Sequence, residues 1–563
     1  MKKTIDCLLI GHNEMEFAGY EKSVRKMGQE SGAYRDLNLN FLYCNQQPYS
    51  AAEVFNIFCC HDLDSGGPVK AVPMSMGSAF SGAISYLGTY LHRRGLSFDF
   101  VNSFRDEKDY LVEKLAGEHI LTIAITTTLY VSSLPILEIM EFLKKHNQTA
   151  KIIVGGPFIS TQVRTQEPKV LKYMLESIGA DFYVNSSQGE AALVQIIQTL
   201  KGNKDFEKID NIYYKTGTGY AATPMARENN PLSENMVDWD LFAPRVGDYV
   251  GVRASISCPF SCAFCGFPQH AGTYQTAGVE DIEKELKRLD QIGTVKHVAF
   301  IDDTFNVPPK RFKEILRMII RNRFGFKWHS HFRCQFADGE MVELMKQSGC
   351  DGVFLGLESG NNRILENMNK AVTVEKYRKG IELLKEQGIL TFGCFIIGFP
   401  GESAETAADT FAFIEDSGID FYRAQLWYCD TITPIWNQKE KYDIKGSRFN
   451  WSHASMDVHQ ACGLIEGNFL TNKKSTWIPQ YNFEFDGIFH LMDRGMTVDR
   501  VKQFLNGFNR GIREKLEPAV SSKDASLEVL KAIKDSCGSG GSSDDSPKGE
   551  TDIIDNYDAD FDF

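Results

Sequence analysis

Residues 255–268 read SISCPFSCAFCGFP and set three cysteines in the spacing Cys258-x3-Cys262-x2-Cys265. Three thiolates on one short loop suit a 4Fe–4S cube, which takes one thiolate per iron and leaves a fourth iron without a protein ligand. Structural zinc needs four ligands closed into a tetrahedron. His270 is a fourth ligand on offer, so zinc stays open on spacing alone.

Outward from the loop, the chain alternates. Towards the C-terminus come the short apolar runs GVRASIS, HVAFID, KWHSHFR, DGVFLGL, ILTFGCFI and DFYRAQL. Amphipathic stretches such as VEDIEKELKRLDQI and VEKYRKGIELLKEQG separate them. Six βα repeats over about 251–426 predict an α/β fold with a partial (β/α)6 barrel, and such barrels carry their chemistry at the carboxyl ends of the strands. Towards the N-terminus, TIDCLLIG, FDFVN, HILTIAITT, AKIIVGG and ADFYVNS alternate with helical stretches. They predict a doubly wound, Rossmann-like parallel sheet. No GxGxxG follows its first strand, which argues against a dinucleotide.

The expected division is 1–230 for the first domain, with 13–70 an irregular insertion, and 231–250 for a linker. The domain of the cysteine loop takes 251–429 and an aromatic-rich, mostly α covering region 430–520. A helix followed by a disordered acidic tail takes 521–563.

The chain has 563 residues, 43% hydrophobic and 24% charged, an ordinary globular composition. It has no apolar run of 18 residues and no signal-peptide pattern at MKKTIDCLLIGHNE. A cytoplasmic protein without a membrane partner is expected. The formal charge is −13, and residues 538–563 contribute eight acids against one lysine. No basic face is implied, so nucleic acid is not an expected partner. Thirteen cysteines in such a compartment argue against a disulfide framework, and the single ones read as small buried hydrophobes.

The cysteine spacing, with Phe264 just before the last cysteine and the βα series behind it, resembles the radical S-adenosylmethionine (SAM) superfamily. The resemblance implies that the open iron chelates the amino and carboxylate groups of SAM, and that cluster reduction releases a 5′-deoxyadenosyl radical. It also implies SAM contacts at successive strand ends. These are Asp302 and Asp303 in FIDDTF (300–305), Arg333 for the SAM carboxylate, Glu358 in GLESG (356–360) and Gly398 in GFPGES (398–403). For each one alone, a loop or ion-pair role competes.

Residues 1–230 are similar to the cobalamin-binding domain that precedes many radical SAM domains. ITTTLYVSS (125–133), IIVGGPFIS (152–160) and ADFYVNSSQGE (180–190) carry the likeness. It implies that Thr126, Thr127 and Thr128 offer hydroxyls to the cofactor's nucleotide tail. Gly155 and Gly156 let backbone approach it, and Gly189 with Glu190 opens the last helix towards it. His12, His61, His92, His119 and His146 all lie outside an Asp-x-His-x-x-Gly motif, and Asp457-Val458-His459 lies in the wrong domain. Cobalt is therefore expected without a protein histidine, with 73–80 (PMSMGSAF) the stretch to search for the residue beneath it.

The layout over about 1–430 resembles the cobalamin-dependent (class B) radical SAM methyltransferases. DCLLIGHNE, SGAYRDLNLNF and NWSHASMD are most like their phosphinate P-methylase subgroup. That likeness implies methylation of an unactivated carbon or a phosphinate phosphorus in a small natural-product substrate, by way of methylcobalamin. An electron donor such as flavodoxin or ferredoxin is the implied partner. Trp436, Trp451, Trp477, Tyr481 and Phe483 are candidate walls for the substrate, and Arg423, Arg448, Lys473 and Lys474 candidate cations. A non-methylating radical SAM–cobalamin enzyme (oxidative cyclisation or rearrangement) and a corrinoid or redox sensor are the alternatives. Methylthiolation of tRNA is set aside, because Cys7, Cys44, Cys59 and Cys60 lack the spacing of a second cluster.

Overall fold

The computed structural model describes residues 3–60, 74–75, 79–202, 205–481, 483–517 and 523–537. In chain order the first strands are β1 (Thr4–His12), the hairpin β2 (Phe41–Cys44) and β3 (Gln47–Ser50), β4 (Phe98–Ser103), β5 (His119–Thr126), β6 (Lys151–Gly155), β7 (Phe182–Val184), β8 (Ile212–Thr216) and β9 (Gly219–Ala222). Seven of them form one sheet in the order β4-β1-β5-β6-β7-β8-β9. The pairs from β4 to β7 are parallel, and β8 and β9 extend the sheet antiparallel. β1 is buried on both faces from Ile5 to Ile10, as a central parallel strand must be. Helices Gly82–Arg93 and Glu190–Lys201 pack into the core on one face. Helices Lys108–Gly117, Leu134–His146 and Pro168–Ile178 build the core on the other. Strand order reverses between β1 and β5, and doubly wound sheets bind ligands at the carboxyl ends beside such a reversal.

The second series is β10 (Tyr249–Val252), the two-stranded ribbon β11 (Ser255–Ile256) and β12 (Gln275–Thr276), β13 (His297–Phe300), β14 (Lys327–His331), β15 (Cys350–Glu358), β16 (Leu390–Ile397) and β17 (Phe421–Leu426). It closes with three short strands, β18 (Lys445–Ser447), β19 (Asn450–His453) and β20 (Met456–Asp457), and then β21 (Thr476–Trp477). The large sheet runs β10-β13-β14-β15-β16-β17-β21, parallel throughout. Where six strands were expected there are seven, because the region after 430 returns one short strand to the edge. The end strands β10 and β21 do not pair, so the sheet stays open. Helix Phe485–Asp493 fills its inner face near the amino ends of the strands. The Phe489 ring lies 4.8 Å from His297 and 4.5 Å from His329. Phe485 lies 5.5 Å from Phe392, and His490 4.4 Å from Tyr249.

Three expectations change. Within 13–70, the described residues are ordered: helices Phe17–Arg25, Gly32–Leu37 and Ala51–Cys60 flank the β2–β3 hairpin. Pieces this short are not stable alone, and these take their stability from the far end of the chain. Trp477 Nε1 donates to the Leu39 carbonyl at 3.2 Å, and Lys515 Nζ to the carbonyls of Asn38 and Phe41 at 2.7 and 2.5 Å. Arg35 pairs with Glu466 at 2.6 Å.

The linker is a packed joint. Trp239 and Phe242 are fully buried against Phe80, and Phe242 also meets Phe100. Trp239 Nε1 donates to Glu285 at 2.9 Å. Finally, ten described cysteines are free thiols and Cys537 is disulfide-bonded, one bridge at a cysteine read as a small buried hydrophobe. The last described helix is Leu527–Cys537, and the acidic tail lies outside the described residues. No described helix is long and apolar enough to cross a membrane.

Candidate functional site

The cysteine loop leaves the carboxyl end of the β10 segment and is fixed from three directions. Below it, Asp302 accepts from the Ala254 amide at 3.0 Å and from the Ser255 hydroxyl. Arg311 donates to the Ala254 and Ala277 carbonyls at 2.8 and 2.9 Å. At its side, three consecutive residues clamp it. Met368 O accepts from Ala263 N at 2.8 Å, Asn369 Nδ2 donates to Ser261 O at 2.9 Å, and Lys370 lies 5.4 Å over the Phe264 ring. From the covering region, Ile435 N donates to Ala263 O at 2.9 Å.

Arg333 reaches the loop from the end of β14. Its backbone is bracketed by Asn306 through two hydrogen bonds of 3.0 Å. Its Nη2 donates to Cys262 Sγ at 3.2 Å, and its guanidinium lies 3.6 Å over Phe260. Nη1 is buried without a protein acceptor. Cys258 Sγ lies 3.9 Å from the Thr304 hydroxyl. Burial raises the Cys258 thiol. It pushes Cys265 up to about 11, and the neighbouring Cys262, Asp303 and Cys258 add to the rise. Among the described residues, no three His, Cys, Asp or Glu side chains converge on a single ion. Three thiols on one loop, beside a cation whose Nη1 has no protein acceptor, are a donor set that suits a 4Fe–4S cube with one open iron.

The remaining predicted SAM contacts divide. Asp302 is buried and spent on the strand end, so it positions the loop. Asp303 is exposed on the same turn, its carboxyl pushed up to about 7 by the surrounding protein and by Asp302. Glu358, at φ +67°, pairs with Lys370 at 2.8 Å, both side chains buried. Gly398 has φ +91°, and an added Cβ would lie 2.4 Å from Trp451 Cη2, so the glycine makes room for a tryptophan. One residue escaped the sequence reading. His331 is exposed at the end of β14, 4.7 Å from the Phe354 ring, with its pKa lowered by desolvation from the protein around it. Nothing in KWHSHFR separated it from His329, which is buried among histidine and tyrosine rings.

The first sheet turns its carboxyl edge to this loop. Arg164 donates to Gln269 O at 2.8 Å, and Gln275 Nε2 to Asn229 at 2.5 Å. On that edge the hydroxyls of Thr126 and Thr127 are spent on the carbonyls of Gly11 and Gly155, at 3.4 and 3.0 Å. Of the three threonines, only Thr128 is exposed. Beside it Leu129, Val131 and Leu134 are exposed by 57%, 80% and 41%, an apolar rim suited to a flat macrocycle. Gly156, at φ +118°, makes room for Thr127, and Gly155 lies against Val184. Gly189 does not present a free amide: Glu228 accepts from the amides of Gly189 and Ala191 at 3.0 and 2.6 Å. Glu190 is buried, its carboxyl raised by desolvation, and takes a hydrogen bond from Asn230 at 3.1 Å. The chemistry expected of that helix start is thus already satisfied within the protein. Of the stretch 73–80, Met74, Ser75, Ala79 and Phe80 are described. Met74 exchanges hydrogen bonds with Asn56.

Comparison with known proteins agrees with this geometry. Residues 253–414 match the Radical SAM superfamily. An uncharacterized methyltransferase of Pyrococcus horikoshii is 26% identical over 294 residues, 50% of this chain and 61% of that protein. An anaerobic magnesium-protoporphyrin IX monomethyl ester cyclase of Rubrivivax gelatinosus is 23% identical over 65% of this chain and 68% of its own. The chain thus spans about three fifths of the first of these relatives. Among solved structures, the radical SAM methyltransferase TsrM from Kitasatospora setae, with cobalamin and a [4Fe-4S] cluster bound, shares the fold (TM-score 0.53, 19% identity, 64% of this chain and 71% of that one). The cobalamin-dependent radical enzyme OxsB, with aqua-cobalamin and SAM bound, covers more (TM-score 0.55, 14% identity, 82% and 76%). At these identities the likeness is one of fold.

Proposed function

We propose that this chain is a cobalamin-dependent radical SAM methyltransferase acting on a small molecule, with an unactivated carbon or a phosphinate phosphorus as methyl acceptor. The observation that carries the reading is the cysteine loop with Arg333 against Cys262, set opposite the carboxyl edge of a doubly wound sheet. Cys258, Cys262 and Cys265 would hold the cluster, and the free Nη1 of Arg333 would meet the SAM carboxylate as a charge-assisted hydrogen bond. The rim Leu129–Leu134 would face the corrin. When bound, cluster and SAM supply a hydrogen-abstracting carbon radical, and cobalamin carries the methyl group.

The chain's own residues position and shield. Asp302 and Arg311 hold the strand end, Met368–Lys370 hold the loop, and Asn306 fixes Arg333. His331 and Phe354, whose rings lie 4.7 Å apart on neighbouring strands, would limit the substrate's orientations. Residues 1–230 would serve the corrinoid, 251–429 the radical chemistry and 430–520 the substrate cover. Electrons would come from a flavodoxin- or ferredoxin-like donor.

The first test is anaerobic reconstitution with iron, sulfide and hydroxocobalamin, followed by SAM and reductant. About four irons, one cobalt, and formation of both 5′-deoxyadenosine and S-adenosylhomocysteine are expected. Cys262→Ala should lose the cluster absorbance and all SAM cleavage, and retained cleavage would remove the site assignment. The cyclase relatives favour a second reading, radical chemistry without methylation. Deoxyadenosine with no homocysteine product would select it, and a sensor would form neither.

A further inference from the structure

We infer that Arg423 is the anchor for an oxyanion of the substrate, and that Asp36 occupies it in the present state. The inference rests on the reading above that the inner face of the second sheet receives a small-molecule substrate.

Arg423 lies on β17 and pairs in register with Cys394 of β16, so the two share a face. Two further neighbours identify that face as the inner one. The Cys394 thiol feels the charges of Glu358 and Lys370, and that pair reaches the cysteine loop through Phe264. The adjacent Tyr422 points the other way, towards Arg513 and Glu415.

The side chain of Arg423 is 2% exposed. A guanidinium carries five N–H donors. Its Nη2 meets Asp36 Oδ1 at 3.2 Å, its plane lies 4.3 Å over Trp477, and Nε and Nη1 have no partner. Buried donors without acceptors are uncommon and call for an explanation. Once Asp36 leaves, Nη2 with either neighbour, Nε or Nη1, presents the parallel pair of N–H groups that matches the two oxygens of a carboxylate or a phosphinate. Asp36 comes from helix Gly32–Leu37, which packs against β17 and helix Val458–Thr471, beside Leu39, Leu426 and Glu466. It presents the same chemistry, a carboxylate, to the same cation. An incoming anion would displace it and use the donors it leaves idle.

The test titrates the reconstituted full chain with acetate, methylphosphinate and neutral acetamide, at ionic strength held constant with chloride, and follows the thermal midpoint. The two anions should raise the midpoint and acetamide should not. Asp36→Asn removes the competing carboxylate and should lower the half-saturating anion concentration by about tenfold. Arg423→Met should abolish the response. Stronger binding of methylphosphinate or of acetate would each support the anchor and name its oxyanion. An unchanged response in Arg423→Met, or no anion response in Asp36→Asn, would overturn it. Asp36→Asn leaves the arginine in place, so the result does not hang on whether the methionine variant folds. The titration needs no SAM cleavage. A chain that binds anions through Arg423 but forms no deoxyadenosine would refute the proposed reaction and leave this anchor standing.

Discussion

Arg333 donates from Nη2 to the sulfur of Cys262 at 3.2 Å, while the other end of the same guanidinium is buried without an acceptor. One side chain thus addresses both the cluster loop and the space beside it. Arg333→Lys keeps the charge but loses the fork. We expect iron content to stay at the wild-type level and SAM affinity to fall about tenfold, or ~1.4 kcal/mol. Equilibrium SAM binding to the reconstituted variant checks this. Unchanged affinity with full iron would take Arg333 out of the SAM site.

Gly398 tests a packing role. At φ +91° with Trp451 in the space of a Cβ, Gly398→Ala combines backbone strain with overpacking, at a cost of roughly 2–4 kcal/mol. The urea midpoint should fall while SAM affinity of the folded protein holds. A loss of SAM affinity at full stability would support an adenine contact instead.

Glu402 supplies a pH dependence. It is fully buried, its carboxyl pushed up to about 8 by burial, against the opposing hydrogen bonds from the Gly398 and Phe399 amides. The folded state therefore holds a proton that the unfolded chain releases above the ordinary glutamate value of 4.5. The stabilisation is full below that pH and is lost progressively as pH rises towards 8, by up to about 5 kcal/mol. Glu402→Gln should flatten this part of the stability profile, gaining on wild type as pH rises. Parallel profiles for the two proteins would show that Glu402 is ionised in the fold.

The lower face of cobalt is open to spectroscopy. His12 ends β1 on the edge proposed for the corrin, half-buried and 5.9 Å from the Tyr130 ring. Its pKa is lowered to about 4 by burial. We expect the Co(II) EPR spectrum of the loaded protein to lack histidine nitrogen coupling. A nitrogen pattern that disappears in His12→Ala would overturn that expectation and identify the ligand.

What the sequence made legible follows from range. Both sheets were visible because parallel strands repeat locally, and the cysteine loop because its three ligands lie within eight residues. The clamp Met368–Lys370 was invisible: it meets the loop across about a hundred residues through two backbone-directed hydrogen bonds and a ring contact, which no residue type announces. The threonine run misled for a related reason. A hydroxyl at a strand end offers itself equally to a ligand and to a neighbouring carbonyl, and only the fold shows that Gly11 and Gly155 took two of the three. The segment 17–60 hid because its elements are too short to show a helical period, and its partner surface is made at the other end of the chain.

That last arrangement bears on how the protein is made. Leu39 waits for Trp477, Arg35 for Glu466 and Asn38 for Lys515, separations of 438, 431 and 477 residues. At ribosomal speeds of about 5–20 residues per second, the first sixty residues emerge roughly 20–90 s before anything exists to receive them. During that interval Phe17, Phe41 and Tyr43, buried in the finished fold, are bare. Synthesis rate, chaperone supply and an intact C-terminal region should therefore govern the yield of this chain more than its folded stability does.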